Sequence, residues 1–176
     1  MFAILIDGEY VRMRAKVLGV KINFQVFVEK LIEQLGLNKS EFFRAYYYTA
    51  PPFTATEKEV YSSWIRFIDW LRYHGFQVRL GRVKKFVDEQ GQEKVIQKMT
   101  DILLTIDSIH LSLNPKIDAI VLVSGDDDYV PVVQKVKDNG VKLILACSKE
   151  SVGSMLIKEA DRRIEIDEIL KESQTA

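Results

Sequence analysis

Short apolar runs alternate with segments of helical periodicity along most of the chain. The runs that indicate strands are residues 2–6, 42–48, 118–124, 141–147 and 163–166. The segments with helical spacing are residues 24–35, 56–73, 98–113, 129–139 and 151–160. Strands that are apolar at nearly every position are typical of parallel sheets buried on both faces. The order therefore predicts an α/β fold with a three-layer, doubly wound, mainly parallel sheet and right-handed crossovers.

One segment departs from this alternation. Between residues 79 and 97, two runs of β-type residues flank the sequence DEQGQE, whose glycine suits a turn. The pattern predicts a β-hairpin that protrudes from the sheet. The cations in and next to this hairpin are Arg79, Arg82, Lys84, Lys85, Lys94 and Lys98.

The helix predicted over residues 98–113 has an apolar side and a polar side. Its predicted core stripe consists of Met99, Ile102, Leu103, Ile106, Ile109 and Leu113. At ~100° per residue, Asp101 lies roughly 130° from the centre of that stripe. Its carboxylate can therefore face a cleft, or it can be a solvated acid paired with Lys98. Spacing alone favours the solvated acid.

Composition limits the classes of function. The chain has 176 residues, which suits one domain, predicted over residues 1–170 with a short tail at 171–176. Lysine plus arginine and aspartate plus glutamate number 25 each, so affinity for nucleic acid must come from a local patch. Cys147 reads as a buried strand residue, and the distant His74 and His110 do not form a zinc pattern. Without a signal peptide or an apolar span, a soluble cytoplasmic protein is expected.

Acidic residues follow two of the predicted strands. Asp7 ends the first strand, and the triplet 126–128 follows the strand 118–124. Ligands of open parallel sheets bind outside the carboxyl ends of the strands. One aspartate there is explained as a helix cap, but three like charges repel each other. If the segment is extended, Asp126 and Asp128 point to one side and Asp127 to the other, which favours a hard divalent cation held by carboxylates.

These motifs, in this order, carry a family resemblance. The chain resembles the NYN domain family, particularly its LabA-like branch. The motifs that carry the resemblance are, in order, AILIDGEY, the hairpin and the helix with TDILLTID, then IVLVSGDDDYVPVV and finally LIKEADRRIEI. That family is part of the PIN-like nuclease superfamily. The resemblance covers residues 2–167 and implies metal-dependent phosphodiester cleavage, usually of RNA, with Mg²⁺ or Mn²⁺ as cofactor.

The resemblance also implies a catalytic and metal-binding set. It consists of Asp7, Asp101, Asp126 and Asp128, with Asp7 and Asp126 as principal ligands and the other two acting through water. Two Mg²⁺ or Mn²⁺ ions held by these acids would stabilise the attacking and leaving oxygens of the phosphodiester. Asp127 falls at the variable position of the motif. Tyr10 stands where the family often has an asparagine, so an amide that orients a carboxylate or substrate is missing.

Candidate substrate-binding residues are Ser124, Arg79, Arg82, Lys84, Lys98 and Arg12, and Arg14 also follows the first strand. Basic side chains of this kind bind phosphates without reading sequence. The tyrosines at 46–48 and Tyr129 can stack on bases or pack in the core. RNA is the expected partner, and a homodimer is a further expectation.

Other functions remain open on the sequence. A dinucleotide-binding fold is disfavoured, because no glycine-rich motif follows the first strand. An aspartyl phosphotransferase using Asp7 is weakened by the lack of a second acid two residues on. The main alternative is a non-catalytic RNA-binding or regulatory module, or an oligomeric interaction domain, that retains the metal site.

Overall fold

A six-stranded parallel sheet forms the centre of the molecule. The computed structural model describes residues 1–52, 58–87 and 90–175, with the side chains of 85–87 and 93–98 excepted. The strands of the sheet are β1 (Phe2–Asp7), β2 (Phe42–Thr49), β3 (Gln77–Leu80), β6 (Ala119–Val123), β7 (Lys142–Cys147) and β8 (Arg162–Glu165). Their order is β3-β2-β1-β6-β7-β8, and every pairing is parallel. The predicted three-layer, mainly parallel α/β architecture is confirmed.

Helices cover both faces of this sheet. They are α1 (Gly8–Leu18), α2 (Phe24–Leu35), α3 (Lys58–Tyr73), α4 (Thr100–Ser112), α5 (Val130–Asp138), α6 (Ser154–Glu159) and α7 (Asp167–Glu172). Asn23 caps the start of helix α2, where its side chain accepts from two backbone N–H groups. Gly36, with φ 67°, caps the end of the helix. Asparagine caps a helix well, and glycine adopts the left-handed conformation without a Cβ clash.

The predicted hairpin is present. Strands β4 (Arg82–Val87) and β5 (Glu93–Lys98) pair antiparallel and form their own two-stranded sheet. The backbone then passes through Met99, which has φ 77°, directly into α4. The backbone of a residue other than glycine rarely adopts this left-handed conformation, so the hairpin and α4 meet at a strained residue.

The predicted core stripe of α4 is wrong. Four of its members are exposed: Met99 at 38%, Ile102 at 58%, Ile106 at 56% and Leu113 at 67%. The buried positions of the helix are Leu104, Ser108, Leu111 and Ser112. The two serine hydroxyls donate to the carbonyl oxygens of Leu104 and Ile109, both at 2.8 Å. Their polar groups are thus satisfied within the helix, and their small side chains let α4 approach the sheet closely.

The C-terminal segment is part of the fold. The predicted domain end at residue 170 lies inside α7, where Ile169 and Leu170 are buried. Beyond it, Ser173 is fully buried and Gln174 forms an isolated antiparallel bridge with Ile22. Backbone hydrogen bonds from Asn23 to Ser173 and from Thr175 to Lys21 join these residues to the segment between α1 and α2.

Candidate active site at the carboxyl edge of the sheet

Strands β1 and β6 lie side by side in the middle of the sheet. Ile6 pairs with Val123, so Asp7 and Ser124 emerge together where the two strands end. The Ser124 hydroxyl donates to Oδ2 of Asp7 at 3.0 Å, and Oδ1 of Asp7 accepts from the backbone N–H of Tyr10 at 3.2 Å. The two strand ends that are followed by acids therefore lie side by side.

Asp7 occupies an unusual environment for a carboxylate. Desolvation by the surrounding protein raises the pKa of Asp7 to about 6, and the negative charge of Asp101 adds to the rise. The hydrogen bonds from Tyr10 and Ser124 favour the charged form and act in the opposite direction. Because burial disfavours the charged form, a nearby cation would strongly stabilise the ionised carboxylate.

Asp101 lies in the first turn of α4, facing the same edge. Its Oδ1 accepts a hydrogen bond from the phenol hydroxyl of Tyr129 at 3.1 Å. Tyr129 is 2% exposed, and its pKa is raised by burial and then by the charges of Asp7, Asp101 and Asp126. Three acids from three different elements thus act on one phenol group. Asp101 is itself exposed, and the Lys98 side chain lies outside the described residues, so its cleft-facing role stays a prediction.

The aspartate triplet turns rather than extends. Residues 127–129 form a 3₁₀ turn, and Asp126 caps it by accepting from the backbone N–H of Asp128 at 3.0 Å. Asp126 and Asp128 are exposed at the edge of the sheet. Asp127 points elsewhere, because its Oδ1 accepts from the backbone N–H of Leu156 in α6 at 2.8 Å. Asp127 therefore caps α6 and not α5, the helix that directly follows it in the chain.

The substrate-binding candidates have different surroundings. Arg12 is exposed and pairs with Glu9 on its own helix, and Arg79 pairs through Nε with Asp107 at 2.7 Å. Arg82 and Lys84 are exposed on β4. The side chain of Lys98 lies outside the described residues, as do those of Lys85 and Lys94.

Two further candidates are buried. Ser124 has no exposed surface, and its hydroxyl donates to the Asp7 carboxylate. It therefore supports Asp7 and has no surface with which to contact a substrate. Arg14 is 7% exposed and pairs with Asp167 and Glu150, which removes it from the basic rim.

The donor set suits a hard divalent cation in its chemistry. The edge presents the carboxylates of Asp7, Asp101, Asp126 and Asp128, and oxygen ligands of this kind are the ones that Mg²⁺ and Mn²⁺ prefer. Within the ranges that the structure describes, no three His, Cys, Asp or Glu side chains converge closely enough to hold a metal ion. Binding would therefore require carboxylates to change rotamer, which the exposed Asp126 and Asp128 have room to do.

Tyr10 and Tyr129 have structural roles that sequence reasoning missed. The hydroxyl of Tyr10 accepts from the backbone N–H of Ser148 at 2.8 Å and from the Ser151 hydroxyl at 3.1 Å. Its ring lies over Gly125, where an added Cβ would come within 2.7 Å of it. The position of Tyr129 directly after the aspartate triplet was the feature of the sequence that could have indicated its contact with the acids. For Tyr10, no local pattern indicated partners about 140 residues away.

The remaining tyrosines and the cysteine belong to the core. Tyr46, Tyr47 and Tyr48 are all buried, so they do not form a stacking surface for bases. Cys147 is buried, and burial raises the pKa of its thiol to about 11. A thiol of this kind stays neutral and unreactive near pH 7, as expected for a structural cysteine.

The six-stranded parallel sheet with helices on both faces defines an α/β domain with a PIN-like fold. The chain belongs to the NYN domain family, whose model matches residues 1–167. In addition, no described helix has the length and apolar character needed to cross a membrane.

Two relatives illustrate how far the likeness extends. A crystal structure of a protein of unknown function from Vibrio parahaemolyticus matches with a TM-score of 0.70 and 23% identity, covering 96% of this chain and 94% of that one. An uncharacterised protein of Methanocaldococcus jannaschii is 28% identical over 86 residues, or 49% of this chain and 36% of that protein. The matched region thus spans about a third of the archaeal relative. The first likeness concerns the fold alone.

Proposed function

We propose that this protein is a divalent-metal-dependent ribonuclease whose site is formed by Asp7, Asp101, Asp126 and Asp128. The observation that carries the proposal is that three acids from three elements meet at the carboxyl edge of the sheet: Asp7 bonds to Ser124, Asp101 bonds to Tyr129, and Asp126 caps the turn that contains Tyr129. The charge of Asp101 adds to the raised pKa of Asp7, and a proton or a cation would compensate such like charges. Membership of the NYN family supports a nucleic acid as the substrate; the LabA-like branch stays a prediction.

Each protein group has a definable task in this proposal. Ser124 and the backbone of Tyr10 hold the Asp7 carboxylate, while the hydroxyl of Tyr129 holds Asp101. Asp126 and Asp128, exposed in the turn that follows β6, would supply the remaining carboxylates. A bound Mg²⁺ or Mn²⁺ would stabilise the charge that builds on the phosphate and lower the pKa of the attacking water.

The RNA backbone would be bound by cations next to these acids. Arg82 and Lys84 are exposed on β4, in the hairpin that leads into α4 and Asp101. Arg12 and Arg79 are available only in competition with Glu9 and Asp107, their partners in ion pairs. We therefore assign the main phosphate contacts to Arg82 and Lys84.

A cleavage assay tests this proposal. Purified protein with Mn²⁺ or Mg²⁺ should cut labelled single-stranded RNA, and EDTA should stop the reaction. Asp126→Asn should abolish cleavage, because it removes a principal carboxylate. Asp138→Asn is the matched control, since Asp138 is exposed at the far end of α5. Cleavage that survives Asp126→Asn would come from a contaminant and would contradict the proposal.

A non-catalytic RNA-binding module is the second candidate. The observation that favours it is that Asp7, Asp101 and Asp126 each accept a hydrogen bond from the protein itself. Such a module would retard RNA in a gel without forming products. Lys84→Glu should weaken the retardation, whereas Lys142→Glu, at the opposite edge of the sheet, should not.

A further inference from the structure

The loop that carries the acids is interlocked with a second loop. The acidic loop comprises residues 124–128, and the bracing segment comprises residues 148–156. Gly153 donates its backbone N–H to the carbonyl oxygen of Gly125 at 2.8 Å. A Cβ added at Gly125 would lie 2.1 Å from the carbonyl oxygen of Ser151, so only glycine permits this approach. The two segments therefore meet backbone to backbone.

Asp127 is the side chain that joins them. Its Oδ1 accepts from the backbone N–H of Leu156 at 2.8 Å, an N–H in the first turn of α6. The residue that precedes this helix is Gly153, which has no side chain to cap it. A Cβ at Gly153 would lie 2.0 Å from Cγ and Oδ1 of Asp127, so the carboxylate fills the space that a larger residue would occupy.

The bracing segment is itself fixed to the body of the protein. Tyr10 on α1 accepts hydrogen bonds from Ser148 and Ser151. The buried Arg14 pairs with Glu150 at 2.7 Å, and the Ser148 hydroxyl donates to Oδ2 of Asp167 at 3.1 Å. Asp127 thus connects the acidic loop to a segment that α1 and α7 hold in place.

We infer that Asp127 is a positioning residue, which fixes the acidic loop so that Asp126 and Asp128 project together from the edge of the sheet. The inference rests on the proposed function, because it assigns these two acids to a cation site. The carboxylate of Asp127 itself is directed at α6, where it accepts from the backbone N–H of Leu156. Outer residues of this kind typically change metal affinity by about 10–100-fold when they are replaced.

Three variants separate positioning from charge. Asp127→Ala removes the hydrogen bond and the charge, whereas Asp127→Asn keeps an oxygen acceptor and removes the charge alone. Gly153→Ala keeps the charge and displaces the carboxylate. We expect Asp127→Ala and Gly153→Ala to weaken Mn²⁺ binding about tenfold in calorimetric titration, with Asp127→Asn close to the wild type. Equal weakening in Asp127→Asn and Asp127→Ala would assign the effect to charge and overturn the inference.

Amide hydrogen exchange provides a readout that does not depend on the metal. Asp127→Ala should speed exchange at residues 126–129 and at Leu156, and Asp127→Asn should not. Unchanged exchange in Asp127→Ala would overturn the inference, whatever the ion does. If the wild type binds no Mn²⁺ while exchange still rises in Asp127→Ala, the cation site fails and the structural connection stands. Should Gly153→Ala fail to fold, the two Asp127 variants still decide the question.

Discussion

The phenol hydroxyl of Tyr129 donates a hydrogen bond to Oδ1 of Asp101 and so connects the 3₁₀ turn that precedes α5 to the first turn of α4. The two residues are 28 positions apart in the chain, and Met99, with its left-handed backbone, lies just before the helix. The orientation of Asp101 therefore depends on a residue from another element as well as on its own helix.

Replacing Tyr129 by phenylalanine should loosen Asp101 without disturbing the core. The ring stays buried, so the stability cost should be that of one hydrogen bond, about 1 kcal/mol. The Mn²⁺ concentration needed for half-maximal cleavage of RNA should rise, because Asp101 is no longer oriented. Thermal melts and metal titrations measure the two effects. Tyr73→Phe is the control, since Tyr73 is 88% exposed; an identical metal titration for both variants would contradict this role.

Asp7 should make the stability of the protein depend on pH. Its pKa rises from 3.8 to about 6 on folding, so the native state binds more protons than the unfolded state between these values. Stability should therefore fall as the pH rises through this window, by roughly 3 kcal/mol in the absence of metal. Above the window the ionised carboxylate is destabilising.

Asp7→Asn tests this dependence. Asparagine keeps the capping acceptor for Tyr10 and cannot ionise. The variant should be more stable than the wild type at pH 8 and nearly equal to it at pH 4, in urea unfolding without metal. Asp138→Asn should follow the wild type at both pH values. Parallel curves for Asp7→Asn and the wild type would show that Asp7 does not titrate in this way.

The orientation of α4 can be checked by two truncations. Leu104 is fully buried, so Leu104→Ala should cost about 2–5 kcal/mol of stability. Ile106 is 56% exposed, so Ile106→Ala should change stability by only about 0.5 kcal/mol. Urea unfolding measures both. A large loss in Ile106→Ala and a small one in Leu104→Ala would mean that the helix packs with its other face.

Sequence patterns predicted the sheet well because its strands are buried on both faces. Residues 2–6 and Ala119–Val123 are apolar throughout, and central strands require this. The same reasoning failed on α4, where the larger apolar residues were assigned to the core. Ser108 and Ser112 are buried instead, because they satisfy their hydroxyls within the helix and allow close packing.

The acids of the site could be listed from the sequence, but their partners could not. Tyr129 reaches Asp101, and Asp127 reaches Leu156, across separations of 28 and 29 residues. Arg79, a candidate for phosphate binding, pairs with Asp107 on α4. Local periodicity contains no information on such contacts, since they depend on which elements become neighbours in the sheet.

The divalent-cation site can be tested by a thermal melt with and without millimolar Mn²⁺. A ligand that binds only the native state raises the melting temperature of the protein. We expect a clear rise for the wild type and for Asp138→Asn at pH 8, with little or none for Asp126→Asn. No rise in the wild type, or an equal rise in Asp126→Asn, would contradict a divalent-cation site at this edge of the sheet.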